Sequence, residues 1–531
     1  MDETQKVALE TIKMNKQALI FVASRPSAEK TAEEIASLTS FNYPELEQEI
    51  LHKISTPTKQ CRRLSHCVKK GIAFHHSGLT SQQRELIEDE FRKGTIKIIC
   101  ATPTLAAGVN MPAFRVIIKS LKRFSEKWGN DWIPVLEYLQ MAGRAGRPQY
   151  ESHGEAISIA KNDAEKEEIY ERYILGVPEE IYSKLAAEPI LRTSLLSLIS
   201  SGIIKDTESL HNFYSKTFWA HQYQEYHKLA EKIEKMVALL KECQFITLEN
   251  QENATTSDSD ISTEFVSASS LSKKQKKIKD NTQTQSTQKM RPTLLGKRIS
   301  ELYLDPLTAR HLLDCLENFT EKKPLFALLQ MIAHTLEMRP LLNIKVKERD
   351  EIFDQLNKHC DDLLKPEPSA FDLEYDQFLN SIKTALFFDE WIQEKDEEYL
   401  LEKYDIRPGE IHVKLDLAEW LLYASEEFSK ITSNHHAQKE IHKLRLRLQY
   451  GVKEELLTLL KLKGIGRVRA RKLYANGIKD LGAIKTIDIT TLTQILGSAL
   501  AQDIKIQVGE EVIEEISERK RKGQMSLGKY N

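Results

Sequence analysis

The sequence predicts an α/β domain built on a buried parallel sheet, followed by domains that are mostly α-helical. Three observations carry this reading. Short, mainly apolar runs such as Gln17–Ala23, Ile96–Cys100 and Val116–Ile118 have the length and composition of strands covered on both faces. From about residue 155 onward the apolar positions switch to helical spacing. At 531 residues the chain is also too long for one hydrophobic core, so several domains are expected.

Composition narrows the class. Hydrophobic residues at 41% and charged residues at 29% describe a water-soluble globular chain rather than a fibrous or membrane-embedded one. The net charge of −2 means that any nucleic-acid contact must come from local basic patches. Six cysteines are scattered without a C-x-x-C pair, and Cys61, His66, Cys67, His75 and His76 lack the spacing of a zinc site. Free thiols and no bound metal are the expectation. No run of 18 apolar residues exists, and the start MDETQKVALE does not read as a signal peptide.

The elements follow in order. Residues 1–16 read as a helix. The strand Gln17–Ala23 runs into Ser24-Arg25-Pro26-Ser27 and a helical AEKTAEEIASL. The strand Ile96–Cys100 is followed by a Thr/Gly loop, Thr102 to Asn110, of the kind that brings backbone N–H groups up to phosphates. After Val116–Ile118 and a spacer comes Gln140-x-x-Gly143-Arg144-x-Gly146-Arg147. Two arginines three apart, each preceded by glycine, can face an anion from one side of a short helical turn.

These stretches carry a resemblance. HHSGLTSQQRELIEDEFRKG, ATPTLAAGVNMPA and QMAGRAGRP are similar to motifs IVa, V and VI of superfamily 2 helicases of the Ski-type branch, and FVASRPSAEKTAEEIA resembles motif IV. The resemblance implies a second RecA-like domain over residues 1–165. It gives Arg144, Arg147 and Gln140 catalytic roles, with the arginines sensing the γ-phosphate of ATP. Gly108, Asn110, Gly143 and Gly146 would line the nucleotide, while Arg25, Thr102 and Thr104 would hold a DNA phosphate. The sequence contains no G-x-x-x-x-G-K-[ST] loop and no D-E-x-H/D box; Leu294-Leu295-Gly296-Lys297-Arg298 lacks both the leading glycine and the hydroxyl. ATP and Mg²⁺ would therefore be held mainly by a first RecA-like domain. Either a separate polypeptide supplies that domain or the chain is a truncated product.

Between motifs V and VI, IIKSLKRFSEKWGNDWIPV reads as a β-hairpin with a Gly129-Asn130 turn. In the helicases it resembles, a hairpin here splits the duplex, and Trp128 or Trp132 would stack on the last base pair. Residues 166–300 match a winged helix, with LAAEPILRTSLLSLISSGIIKD ending at Gly202 and EYHKLAEKIEKMVALLKECQFI leading into a strand-like FITL. A Ser/Thr/Gln/Asn-rich stretch with a lysine cluster, about residues 250–291, reads as a disordered insertion at the wing.

Residues 301–450 carry helix after helix with an apolar stripe and resemble the family's ratchet bundle. Trp420 in LAEWLLYA would stack on a base, although the arginine often found two turns earlier is replaced by Val413, with Lys414 beside it. Residues 451–515 hold a helix-hairpin-helix around Gly464-Ile465-Gly466. Its glycines let a phosphate approach the backbone, and Lys463, Arg467, Arg469, Arg471 and Lys472 cluster nearby. Residues 451–485 contain nine Lys/Arg against three Asp/Glu, a patch suited to backbone phosphates rather than to reading sequence. The tail, residues 516–531, ends in Gln524-x-x-Leu527-x-x-Tyr530, similar to sliding-clamp-binding peptides.

The domain order is closest to the archaeal Hjm/HelQ-type fork helicases. This implies ATP-dependent 3′ to 5′ unwinding of forked or single-stranded DNA, in an archaeal-type cytoplasm and at the nucleoid. A non-catalytic DNA-binding and clamp-docking subunit is the alternative of another class, and a Ski-type RNA helicase fragment the alternative substrate.

Overall fold

The computed structural model describes residues 1–53, 57–108, 111–125, 129–146, 153–250 and 288–509. Its amino-terminal lobe contains α1 (Glu3–Lys13), β1 (Ala18–Phe21), α2 (Arg25–Ala36), α3 (Pro44–His52), α4 (Lys59–Lys69), β2 (Ile72–His75), α5 (Ser81–Lys93), β3 (Ile98–Ala101), α6 (Thr104–Gly108) and β4 (Arg115–Ile118). A hairpin, β5 (Lys122–Ser125) and β6 (Gly129–Trp132), leads to α7 (Val135–Ala142), β7 (Glu155–Ser158) and α8 (Asp163–Ile169). The sheet is parallel, in the order β2-β3-β1-β4-β7. Every residue of β1 to β4 is buried, which is why these strands read as continuous apolar runs.

Arg115 is the exception in composition. Its guanidinium is satisfied at the sheet end by Glu155 Oε2 (Nε, 2.6 Å) and Thr11 Oγ1 (Nη1, 2.9 Å), so the strand begins one residue before the apolar run. Helix starts follow local capping chemistry. Ser24 caps α2 and Thr80 caps α5 in a reciprocal box with Gln83, while α5 stops at Gly94, whose φ of +83° suits glycine.

The winged helix consists of α9 (Glu188–Ser200), α10 (Thr207–Tyr214), α11 (Phe218–Tyr223), α12 (Tyr226–Glu242), the wing strands β8 (Ile246–Asn250) and β9 (Gln288–Pro292), and a short helix, Leu294–Glu301. The wing corrects the expected insertion boundary. Gln288–Pro292 pairs antiparallel with β8 and buries Met290, so residues 288–291 belong to a wing strand rather than to the insertion. Residues 251–287, most of the expected insertion, lie outside the described residues.

The bundle follows, with a long helix, Pro408–Ile431, packed along His435–Tyr450. Winged helix and bundle share one hydrophobic core from Leu191 to Leu448, whereas the amino-terminal lobe and the helix-hairpin-helix each have their own. Among the described residues no helix is long and apolar enough to cross a membrane.

Candidate nucleic-acid groove and nucleotide face

The carboxyl ends of β1 and β3 open on a groove of about 750 Å³ lined by Ser24, Arg25, Thr102, Thr104, Gln140 and Arg407, among others. Ligands of open parallel sheets sit at this edge. The hydroxyls of Thr102 and Thr104 lie 2.9 Å apart at its mouth. Gln140, expected with the catalytic arginines, instead faces this groove, because it sits on α7 more than a turn before Arg144 turns away.

The groove's arginines already have partners. Arg25 is ion-paired with Glu410 of the long bundle helix, Arg123 Nη1 is 3.1 Å from Glu137 Oε1, and Arg407 Nε is 3.4 Å from Glu29 Oε1. Arg25, expected at a DNA phosphate, is held by Glu410 in this arrangement, so a phosphate there has to share or displace that carboxylate.

Glu29 is the hub of a buried network. Gln60 Nε2 donates to its Oε1 at 2.8 Å, Arg63 Nη1 to its Oε2 at 2.6 Å, and His76 Nε2 lies 3.2 Å from Oε1. Burial by itself would raise the Glu29 pKa. The His76 and Gln60 donors and the Arg407 charge outweigh it and hold the carboxyl down at about 2. His76 Nδ1 accepts the Gly78 N–H at 3.1 Å, which assigns its proton to Nε2, facing Glu29. Burial lowers the His76 pKa, against the pull of Glu29.

Glu179 caps the start of α7 by accepting the N–H groups of Val135 (2.6 Å) and Leu136 (3.1 Å). After α7 the chain lies beside the entry to β4: Ala113 N–H donates to Arg144 O at 3.0 Å, and Gly146 N–H to Ala113 O at 2.7 Å. Gly146 has φ +96°, and a Cβ on Gly154 would come within 2.2 Å of its nitrogen, so close backbone approach explains the glycines here. The Gly143 N–H donates to Leu139 O at 2.8 Å. The amides of Gly143 and Gly146 thus both hold the lobe's own backbone.

Arg144 is half-buried, and its Nε donates to the Ala106 carbonyl at 3.0 Å, with Nη2 bonded to the same oxygen. In this arrangement the side chain clasps motif VI to α6, the helix that Gly108 closes. Asn110, Trp128 and Arg147 lie outside the described residues, as do Gln524, Leu527 and Tyr530.

The hairpin is present, with Lys122 opposite Trp132 and Ser125 opposite Gly129. Trp132 stands at its base, half-buried, with Lys122 Nζ 4.0 Å from the ring centre and Tyr173 packed beside it. Of the two tryptophans considered for the tip, Trp132 is therefore part of the lobe's packing.

In the bundle, Trp420 is half-buried and its indole N–H donates to Leu302 O at 3.1 Å. Lys414 beside the exposed Val413 turns inward and donates to Pro340 O at 2.8 Å, so its ammonium faces the bundle interior; burial lowers its pKa to about 8.

In the helix-hairpin-helix, Gly464 has φ +83°, and Gly466 opens the helix Arg467–Ala475 with clear space where a side chain would be. Lys463, Arg469 and Lys472 are exposed around it. Arg467 and Arg471 are not available in the same way. Arg467 Nη2 donates to Lys395 O at 2.8 Å beside the Trp391 ring, and Arg471 pairs with Glu394 and, at 2.8 Å, with Glu455. Arg467 and the Arg471–Glu394 pair thereby fasten this domain to the bundle, while Glu455 belongs to the helix-hairpin-helix itself.

A parallel α/β lobe bearing these motifs, then a winged helix, a helical bundle and a helix-hairpin-helix, defines the second-lobe portion of a Ski-type superfamily 2 helicase. Family models agree: a helicase conserved C-terminal domain over residues 3–149, a helix-turn-helix domain over 154–247, an archaeal helicase domain 4 over 326–451, and a SAM-like helix-hairpin-helix tandem over 456–510. The chain belongs to the Hel308 family. It is 37% identical to the ATP-dependent DNA helicase Hel308 of Methanococcus vannielii over 88% of its own length and 62% of that relative. Against the Hel308 proteins of Pyrococcus abyssi and Methanocella arvoryzae it is 35% and 34% identical, over 98% and 96% of this chain and 67% and 65% of theirs. The chain thus spans about two thirds of the length of these relatives.

Proposed function

We propose that this chain is the second half of an ATP-dependent DNA helicase motor that moves 3′ to 5′ on forked DNA. A first RecA-like lobe completes it. The observation that carries the reading is the Arg144–Ala106 clasp. One end of the clasped segment belongs to motif VI; the other runs through α6 to Thr102 and Thr104 at the groove. A displacement of α7 by a closing partner lobe is thereby passed to the hydroxyls that would hold a DNA phosphate.

The described residues do not build a phosphate cradle of their own, so ATP and Mg²⁺ belong mainly to the partner lobe. Arg147 is the guanidinium proposed to reach the γ-phosphate, with Asn110 and Gly108 beside the nucleotide and Arg144 positioning motif VI. Around α7 the apolar side chains of Leu136, Leu139, Ile174, Leu175 and Val177 are 40% to 81% exposed, a surface suited to covering by another lobe. Trp128 is proposed as the duplex-splitting tip, and Gln524, Leu527 and Tyr530 as a clamp-docking peptide. DNA is preferred to RNA because the relatives are named DNA helicases.

The test of polarity is strand separation by the two-lobe mixture on duplexes with a 3′ or a 5′ single-stranded tail. Separation confined to the 3′-tailed substrate is expected; equal separation of both, or of neither, contradicts the reading.

A further inference from the structure

Tyr303 is 81% exposed and adopts φ +55°, a left-handed backbone conformation that glycine takes freely and a bulky side chain rarely does. It follows the helix Leu294–Glu301 at the position where helices commonly end on glycine. The turn is held by Tyr303 N–H to Ser300 O (3.1 Å) and Leu304 N–H to Ile299 O (3.2 Å). Leu302 and Leu304 on either side are buried, so the ring between them is turned out to solvent on a fixed base.

The Leu302 carbonyl, one residue away, is the acceptor of the Trp420 indole N–H. That bond fixes the edge of the Trp420 ring and ties the exposed tyrosine to the same spot on the bundle. The nearest acid on Tyr303's own helix, Glu301, is occupied by Arg298 at 2.9 Å, and Lys297 is exposed one turn back.

We infer that Tyr303 is a second base-stacking residue, forming with Trp420 a two-aromatic platform for unpaired bases of single-stranded DNA. The inference rests on the reading that the strand passes Trp420. An aromatic face accepts any base, so the platform grips without reading sequence. The left-handed backbone is the conformational cost of presenting a ring where a glycine would fit better.

The experiment measures binding of the full chain to a fluorescent oligo-dT and to a strand of the same length carrying abasic sites, with wild type, Tyr303→Gly, Tyr303→Phe and Trp420→Ala. Glycine suits the left-handed site, so Tyr303→Gly is expected to melt no lower than wild type yet to bind oligo-dT about five- to a hundredfold more weakly. Tyr303→Phe retains binding, and wild type and Tyr303→Gly become equal on the abasic strand. If Trp420→Ala weakens binding and Tyr303→Gly does not, the platform is overturned while the strand path stands. If neither substitution changes affinity, the path itself is wrong. A Tyr303→Gly defect of equal size on the abasic strand also overturns stacking.

Discussion

The N–H of Gly409 donates to the carbonyl of Gly78 at 3.0 Å, joining the first turn of the long bundle helix to the loop before α5 of the sheet lobe. A Cβ on Gly409 would stand 2.4 Å from both the Ser77 and the Leu79 carbonyl oxygens, so the two backbones meet without room for any side chain. Around this contact sit the Arg25–Glu410 pair and the Glu29 network reaching Arg407. The lobe and the helix that carries Trp420 are thereby held as one body, which is how a lobe movement would reach a base stacked on the bundle.

Gly409→Ala forces those carbonyls apart. We expect a loss of about 1–3 kcal/mol, the usual cost of overpacking, together with faster proteolysis of the connection near Asp405. Calorimetric melting and limited proteolysis check this; an unchanged melting profile means the contact is not formed.

The Glu29 network sets a pH dependence. The Glu29 carboxyl titrates at about 2 in the folded chain against an ordinary value of 4.5, so its contribution is complete above pH 4.5 and is lost as pH falls toward 2. His76 is buried with its pKa lowered from 6.5, so below pH 6.5 the unfolded chain takes up that proton more readily and stability falls in the same direction. Stability of the sheet lobe should therefore decline steadily from pH 6.5 downward. In Glu29→Gln the share of that loss due to Glu29 should vanish, leaving the decline from the lobe's other lowered carboxyls such as Glu47 and Glu88, at a cost near neutrality of about 1.5–3 kcal/mol for a buried charged hydrogen-bond set. Urea unfolding across pH measures both.

Arg144→Ala and Arg144→Lys should both loosen motif VI from α6, by about 1–2 kcal/mol in lobe stability. Lysine does not rescue, because only the guanidinium presents Nε and Nη2 together to one oxygen. Hydrogen exchange at Ala106 to Gly108 reports the change, and a lysine variant as protected as wild type contradicts the clasp.

Replacing Lys463, Arg469 and Lys472 together by alanine should lower DNA affinity and flatten its salt dependence by about two to three in the log–log slope. Arg471→Ala should leave that slope unchanged and instead speed proteolysis between the bundle and the helix-hairpin-helix, since its partner across that junction is Glu394.

Much of this was readable from residues near one another in the chain. The apolar runs gave β1, β3 and β4; Gly202 ends α9 region as expected with φ +73°, and FITL forms the first wing strand. What could not be read were pairings between distant segments. Arg471 and Arg467 look like any basic cluster until Glu394 and Lys395 are found against them. Glu29 and Arg407, 378 positions apart, share no local pattern, and the Gly78–Gly409 contact has no signal in either flanking sequence. The Arg144–Ala106 bond was unreadable for a similar reason, because a motif names residue types but not which carbonyl a guanidinium meets.

The central claim is that Arg147 completes a nucleotide site on another lobe. It is tested most directly by ATP hydrolysis, with and without single-stranded DNA, after mixing this chain with a separately expressed first RecA-like lobe of a Hel308 protein. The account predicts DNA-stimulated hydrolysis by the mixture alone, falling about three to five orders of magnitude, to background, with Arg147→Ala. An active mixture indifferent to that substitution would contradict it.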